Sequence, residues 1–149
     1  MVKIVYADLF EAKHDLILVT ADSFLRKDKS LLMGHGAAKE LAEREPGTPR
    51  IFGNLIDKQC GHLGFYGLLL NNKYGIFQVK CHYLDDASLY IIGASIAKLH
   101  SFLVDMILVD PKFSVGMNYP GIGGGHLKEA DVSPLLVILP NSLTIYKQI

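Results

Sequence analysis

The sequence predicts an α/β sandwich, because short apolar runs typical of buried strands alternate with segments of helical periodicity. The clearest strand pattern is the fully apolar run at residues 16–19, and the clearest helical pattern lies at residues 88–104. The chain has 149 residues, half of them apolar, which favours one domain over residues 1–149.

The first half of the chain contains two predicted strands and a helix. Residues 2–6 form the first strand, residues 16–19 the second, and the charged run at residues 26–29 a solvated loop. Residues 36–44 carry an apolar helical face, and the Pro-Gly pair that follows at residues 46–47 ends this helix.

The middle of the chain predicts a hairpin and a long helix. Residues 68–70 and 75–80 form two strands joined by a turn at residues 71–73. Asp85 or Asp86 caps the helix at residues 88–104. The apolar residues of this helix recur at helical spacing: Leu89, Ile92, Ile96, Leu99 and Leu103.

The last third of the chain has a strand at residues 113–118, a glycine-rich loop, a helix from about residue 129 to residue 136, and a strand at residues 143–146. The loop holds four glycines in the five residues 121–125. Amides of such a loop can approach an anion closely, and the N-terminus of a following helix adds partial positive charge. The pattern is typical of phosphate binding, although a flexible turn has the same composition.

A second glycine-centred turn, Met33-Gly34-His35-Gly36, opens the helix at residues 36–44. Two loops of this kind are able to hold one diphosphate from both sides.

Composition argues against several classes of protein. Fifteen basic and fifteen acidic residues balance, so no overall field attracts nucleic acid or a membrane surface. Residues 1–8 read as a strand and lack the features of a signal peptide. Two cysteines give no disulfide framework, which suits a reducing cytoplasm.

Other nucleotide and metal sites fit the sequence less well. Gly34-His35-Gly36 has no third glycine for a dinucleotide fingerprint, and no Gly-Lys-Ser/Thr of a P-loop occurs. Cys60, His62, Cys81 and His82 offer a zinc site in principle, but their spacing lacks the usual Cys-x-x-Cys knuckle. We therefore expect neither a metal nor a cofactor.

Four segments in order carry a family pattern. Residues 7–19 contain Ala-Asp-Leu-Phe and Asp-Leu-Ile-Leu-Val, and residues 20–38 contain Thr-Ala-Asp-Ser-Phe and Met-Gly-His-Gly-Ala-Ala. Residues 77–83 read Phe-Gln-Val-Lys-Cys-His-Tyr, and residues 119–136 contain Tyr-Pro-Gly-Ile-Gly-Gly-Gly and Asp-Val-Ser-Pro-Leu-Leu. Together they resemble the macro domain, in particular its bacterial and phage branch described as processing ADP-ribose 1''-phosphate. The resemblance implies a three-layer α/β/α sandwich with a mixed central sheet.

The resemblance also implies roles for individual residues. Asp8 matches the aspartate that accepts a hydrogen bond from the adenine amino group, with the Leu9 amide nearby; a turn aspartate bonding its own backbone is the alternative. Asp22, with Thr20 and Ala21 beside it, stands where the family often has an asparagine facing the distal ribose; a loop aspartate in water is the alternative. The remaining ligand-binding residues form the borders of the ribose and the diphosphate: Gly34, Gly36, Pro120, Gly121, Ile122, Gly123, Gly124 and Gly125.

Catalysis is the part of the family pattern that this chain matches least. Lys80 matches a lysine that attacks the anomeric carbon in some hydrolases of this branch; a solvated lysine at the end of a strand is the alternative. The aspartate that assists that lysine from the glycine-rich loop has no counterpart here, because His126 follows Gly125. His126 is a candidate acid–base substitute, and His35 is a candidate contact to the ribose or a terminal phosphate.

The expected function is binding of ADP-ribose or an ADP-ribose derivative between the two glycine-rich loops, with weak hydrolysis as an addition. The alternatives are an active ADP-ribose 1''-phosphate phosphatase or de-ADP-ribosylating hydrolase, and a non-catalytic scaffold with a degenerate pocket. The expected partner is ADP-ribose or an ADP-ribosylated substrate, without a membrane, and with nucleic acid only where it is ADP-ribosylated.

Overall fold

The computed structural model describes residues 2–148 and contains six strands and four helices. The strands are β1 Lys3–Tyr6, β2 Leu16–Ala21, β3 Leu68–Asn71, β4 Tyr74–Gln78, β5 Val115–Asn118 and β6 Leu143–Lys147. The helices are α1 Gly36–Arg44, α2 Thr48–Gln59, α3 Leu89–Val109 and α4 Glu129–Leu136. Single 3₁₀ turns lie at Leu9–Glu11 and Gly123–Gly125.

One mixed sheet joins all six strands in the order β1-β6-β5-β2-β4-β3. Every neighbouring pair is parallel except β3 and β4, which form the predicted hairpin. The carboxyl ends of β2, β4 and β5 therefore meet at one edge of the sheet, which is where ligands bind in open α/β sheets.

The sheet is covered on both faces, as a three-layer sandwich requires. One face packs against α3 and α4 through a cluster that includes Leu18, Ile96 and Leu136. The other face packs against α1 and α2 through a cluster that includes Val19, Leu41 and Phe52. The predicted α/β/α class with a mixed central sheet is confirmed.

Helix α2 is the element that the sequence reading missed. Thr48 and Pro49 begin it, and proline is favoured in the first turn of a helix because its missing N–H has no partner there. Gly53 lies in its interior, where an added Cβ would approach the Lys29 carbonyl oxygen within 2.0 Å. The helix is thus pressed against the segment before α1, and only glycine permits that approach.

Both the capping residue and the last residue of helix α3 differ from the prediction. Ser88, and neither Asp85 nor Asp86, caps it, by accepting a hydrogen bond from the Ile91 amide at 3.2 Å. The helix continues to Val109. Its length and apolar composition would allow a membrane span, but this single helix is weak evidence for one, since five of its side chains are buried within the protein.

Candidate functional site

The main cavity of the described residues opens at the carboxyl ends of β2, β4 and β5 and has a volume of about 210 Å³. Its walls come from the end of β2, the start of α1, the segment after β4 and the loop after β5. The residues that line it are Thr20, Ala21, Asp22, Leu32, Gly34, His35, Gly36, Ala37, Ala38, Val79, Lys80, Tyr83, Asn118, Gly121, Ile122, Gly124 and Gly125.

A side cavity of about 40 Å³ adjoins the main one. The turn after β1 forms one wall of it, residues 146 and 148 form part of another, and Ala37 and Asn118 line both cavities. The residues that line it are Ala7, Asp8, Leu9, Phe10, Ala37, Glu40, Asn118, Tyr146 and Gln148.

The N-terminus of α1 presents unpaired amides to the main cavity. His35 is the capping residue, and its side chain makes no hydrogen bond to the first turn. The amides of Gly36, Ala37 and Ala38 precede the first backbone hydrogen bond of the helix, and no other acceptor in residues 2–148 reaches them. These three amides and the helix dipole attract negative charge.

The glycine-rich loop faces the same cavity and also has free amides. Within residues 2–148, the amides of Ile122, Gly123 and Gly124 donate to no protein acceptor. Gly121 and Gly123 have φ values of 82° and 65°, a backbone region that favours glycine. Gly124 has ordinary φ, and a Cβ placed there would meet no atom within 4 Å.

Asp22 is the buried ionisable group of the main cavity, with 6% of its surface exposed. Its Oδ1 accepts a hydrogen bond from the Phe24 amide at 2.9 Å. Burial raises the pKa of Asp22 from 3.8 to about 6, against the opposing effects of that hydrogen bond and of the charges on Lys80, His82 and His35.

Lys80 lines the main cavity just after β4, and its amine is held by backbone carbonyls. Nζ donates to the oxygen of Tyr83 at 3.1 Å and to the oxygen of Asp85 at 3.2 Å. An ammonium group has three donor hydrogens, so one is left for a ligand. Attack by the lysine would need the amine to lose a proton and leave these carbonyls.

Asp8 lies at the side cavity, and one of its two carboxylate oxygens accepts a hydrogen bond from the protein itself. Its Oδ1 accepts a hydrogen bond from the Phe10 amide at 2.9 Å and so caps the 3₁₀ turn. This is the local bond of a turn aspartate, and it leaves the second oxygen of the carboxylate for a ligand. Leu9 is buried in the protein core, and the Arg44 guanidinium lies 4.9 Å from the ring centre of Phe10.

The structure brings most of the sequence-predicted site residues to the two cavities. Asp8 and Leu9 line the side cavity. The predicted residues that line the main cavity are Thr20, Ala21, Asp22, Gly34, His35, Gly36, Lys80, Gly121, Ile122, Gly124 and Gly125. Pro120 and Gly123 belong to the loop but line neither cavity.

His126 also lies outside both cavities. Its backbone has φ of 63° at the end of the 3₁₀ turn, and its Nδ1 lies 2.7 Å from Asp86 Oδ1 on the surface, where 70% of its side chain is exposed. Its proposed acid–base role therefore has no support from this geometry.

Several lining residues were not singled out from the sequence. Asn118 has a prominent position, because it ends β5 and lines both cavities. A polar residue directly before the glycine-rich loop is the signal that would have found it. Tyr83, Glu40 and Tyr146 come from three separate parts of the chain, and only the fold brings them to the site.

The part of the chain that the structure describes contains no group of three His, Cys, Asp or Glu side chains arranged as metal ligands. Cys60 and Cys81 are free thiols.

No family model matches the chain, and no curated protein matches it in sequence. Solved structures do match. The DarTG protein of Thermosipho africanus, in complex with ADP-ribose, has 19% identity and a TM-score of 0.72 over 98% of this chain and 41% of that chain. This chain thus spans less than half of that protein.

Two shorter structures match along nearly their whole length. The macrodomain of Mycobacterium tuberculosis DarG has 20% identity and a TM-score of 0.71, covering 98% of this chain and 97% of that chain. The macrodomain of Thermus aquaticus DarG has 17% identity and a TM-score of 0.69, covering 100% and 99%. The chain therefore has the macro domain fold.

Proposed function

We propose that this protein binds ADP-ribose or an ADP-ribose derivative across its two adjoining cavities. The observation that carries the proposal is that hydrogen-bond donors and an acceptor lie in neighbouring cavities. Unpaired amides line the main cavity from two sides, and the Asp8 carboxylate lines the side cavity next to it. A ligand with a diphosphate in its middle and an amino-substituted base at one end matches this order.

The diphosphate would lie between the start of α1 and the glycine-rich loop. Backbone amides and a helix N-terminus suit an anion in a chain whose formal net charge is zero. Because the attraction comes from fixed local dipoles and not from a field of lysines, salt should weaken binding only modestly.

The adenine base would lie at the side cavity, where Asp8 accepts a hydrogen bond from its amino group. A carboxylate is a pure acceptor, so it favours the amino group of adenine over the carbonyl of guanine. The distal ribose would lie near Thr20, Asp22 and Gly34, with His35 at the rim of the cavity.

The DarTG structure supports this proposal, because that protein was solved in complex with ADP-ribose and shares this fold. ADP-ribose contains a diphosphate and an adenine, and these are the groups that the main cavity and the side cavity suit.

Hydrolysis of an ADP-ribosyl bond is the second candidate function, and Lys80 is the observation that favours it. Its ammonium is held at the wall of the main cavity with one donor hydrogen free, beside the proposed ribose position. The substrate would be ADP-ribose 1''-phosphate or an ADP-ribosylated macromolecule, in the reducing cytoplasm that two free cysteines suit.

Isothermal titration calorimetry with ADP-ribose, ADP and AMP tests the proposal. We expect ADP-ribose to bind in the micromolar range, roughly 7–8 kcal/mol, and more tightly than ADP or AMP because only ADP-ribose carries the distal ribose. Absence of heat with ADP-ribose up to millimolar concentration would leave a scaffold with a degenerate pocket as the better account.

A further inference from the structure

The side of helix α3 that faces away from the sheet carries large exposed side chains. The buried residues of this helix, which pack toward the sheet, are Ile92, Ser95, Ile96, Leu99 and Leu103. On the opposite side Tyr90 is 85% exposed and Leu108 is 81% exposed, although both side chains are large and mainly apolar. A helix at a protein surface ordinarily places charged residues on the side that faces water. This side of α3 is therefore suited to contact with another molecule.

The outward-facing residues form one uncharged row along the whole helix, which we call the outer row. Their spacing alternates between four and three residues, so they stay on one side of a helix with 3.6 residues per turn. The same alternation is the repeat by which α-helices pair with each other. Five of the six residues are exposed and Ala94 is half-buried. The outer row consists of Tyr90, Ala94, Ala97, Ser101, Val104 and Leu108.

The sizes of these side chains fit a second copy of the same helix. The small residues Ala94 and Ala97 precede Ser101, and the larger residues Val104 and Leu108 follow it. In an antiparallel pair of α3 helices with a two-fold axis at Ser101, Leu108 faces Ala94 of the second copy. Val104 faces Ala97 of the second copy in the same register. Each large side chain thus meets a small one, as packed helices require.

The charges beside the outer row fit the same arrangement. Lys98 and Asp105 are seven residues apart, so both lie on the same flank of the row. Within residues 2–148 neither makes an ion pair, and Lys98 Nζ lies 5.7 Å from the ring centre of Phe65. A two-fold axis at Ser101 brings Lys98 of each copy beside Asp105 of the other. A second copy is therefore complementary in charge as well as in shape.

We propose that α3 forms the interface of a symmetric dimer in which the outer rows of two copies pack antiparallel. The outer row is about 27 Å long, and burying it on both copies removes on the order of 1,000 Å² of surface. This area lies at the lower end of specific interfaces, so the dimer should be reversible, with a Kd in the micromolar range. No residue of the outer row lines the main or the side cavity, so loss of the dimer should leave both cavities intact.

Analytical ultracentrifugation at protein concentrations from about 1 μM to about 1 mM tests the proposal. The mass of the wild type should rise with concentration from 16.4 kDa toward twice that value. Ala97→Glu should stay monomeric, because it buries an unpaired charge in the interface. Ala130→Glu, at an exposed position of α4, is the matched control and should dimerise like the wild type. Circular dichroism shows that each variant is folded.

A charge exchange tests the antiparallel register. Asp105→Lys alone, or Lys98→Asp alone, places like charges beside each other and should raise the dimer Kd by about tenfold or more. The double variant restores opposite charges, so its Kd should return to within roughly threefold of the wild type. A role of these residues within one copy would not produce this recovery of the dimer.

A cysteine at the two-fold axis tests the position of the interface. Ser101→Cys should form a disulfide-linked dimer in the presence of oxidised glutathione, because the two thiols face each other. Asn54→Cys, on the exposed face of α2, is the control and should remain unlinked. Cys60 and Cys81 are present in both variants, so they contribute equally to any background.

Wild-type protein that stays monomeric up to about 1 mM would overturn the inference. So would an Ala97→Glu variant that dimerises like the wild type, a double charge variant with no recovery, or Ser101→Cys that links no faster than Asn54→Cys. Monomeric protein that instead sediments with phosphatidylcholine vesicles would assign the outer row to a membrane surface, and this result would also overturn the dimer.

Discussion

Asn118 and Thr20 hold the carboxyl ends of β5 and β2 together by two reciprocal hydrogen bonds. The Thr20 amide donates to Asn118 Oδ1 at 3.0 Å, and Asn118 Nδ2 donates to Thr20 Oγ1 at 2.9 Å. The pair lies where the main and side cavities meet. It thereby fixes the relative position of the two halves of the site.

Asn118→Ala should lower the free energy of unfolding by about 1–3 kcal/mol, because the Thr20 amide loses its acceptor in a half-buried position. The measurement is urea denaturation followed by circular dichroism. Asn54→Ala, on the exposed face of α2, is the matched control and should change stability by less than about 0.5 kcal/mol. Equal effects at the two positions would mean that the reciprocal pair adds nothing to stability.

Asp22→Asn should stabilise the protein at neutral pH. Because the folded-state pKa is raised, native protein keeps this proton up to about pH 6, whereas the unfolded chain loses it near 3.8. Wild-type stability therefore falls as the pH rises from 3.8 to about 6, and the deficit above that range is about 3 kcal/mol. Asparagine carries no charge, so the variant should avoid the deficit.

Denaturation of the wild type and of Asp22→Asn at several pH values measures this difference. The gain should be largest above pH 6 and should vanish below pH 3.8. A variant that is equally stable or less stable than the wild type at pH 8 would show that burial does not penalise the ionised carboxylate.

Asp8→Asn should weaken ADP-ribose binding by about 1–3 kcal/mol without loosening the turn. The amide oxygen can still accept the Phe10 amide and cap the 3₁₀ turn, but the group facing the ligand becomes a donor. Asp8→Ala would lose both features, so asparagine is the sharper test. Calorimetry should show the loss for ADP-ribose, and unchanged affinity would place the adenine away from Asp8.

Gly124→Val should abolish ADP-ribose binding while the domain stays folded. The backbone there has no positive φ, and an added Cβ meets nothing within 4 Å, so the side chain would project into the space proposed for the diphosphate. Gly93→Val in α3 is the matched control, since a Cβ there also meets nothing within 4 Å, and it should bind normally. Gly121 is unsuitable, because a Cβ would lie 2.8 Å from Ile92 Cδ1 and threaten the fold.

Much of the fold could be predicted because its signals are local. The apolar run of β2 and the helical spacing of α3 each indicate their element without knowledge of the rest, and both elements were confirmed. Helix α2 was missed although Thr48 and Pro49 mark its start, because the preceding Pro-Gly pair was read only as the end of α1. The extension of α3 to Val109 leaves Leu108 and Val109 largely exposed, which no local pattern indicates.

The site was less predictable because its properties come from distant parts of the chain. The raised pKa of Asp22 depends on the burial of the end of β2, and the position of Lys80 depends on the carbonyls of Tyr83 and Asp85. His126 follows the glycine-rich loop directly, yet its left-handed backbone turns the side chain to Asp86 at the surface. Sequence proximity to the loop therefore did not give proximity to the cavity.

The most direct test of the central claim is a titration of ¹⁵N-labelled protein with ADP-ribose, followed by amide resonances in two-dimensional NMR spectra. The account predicts saturating shifts of the amides of Gly36, Ala37, Ile122 and Gly124, with those of Leu9 and Phe10 shifting at the same ligand concentrations. Spectra that stay unchanged to millimolar ADP-ribose, or shifts confined to another surface, would contradict it.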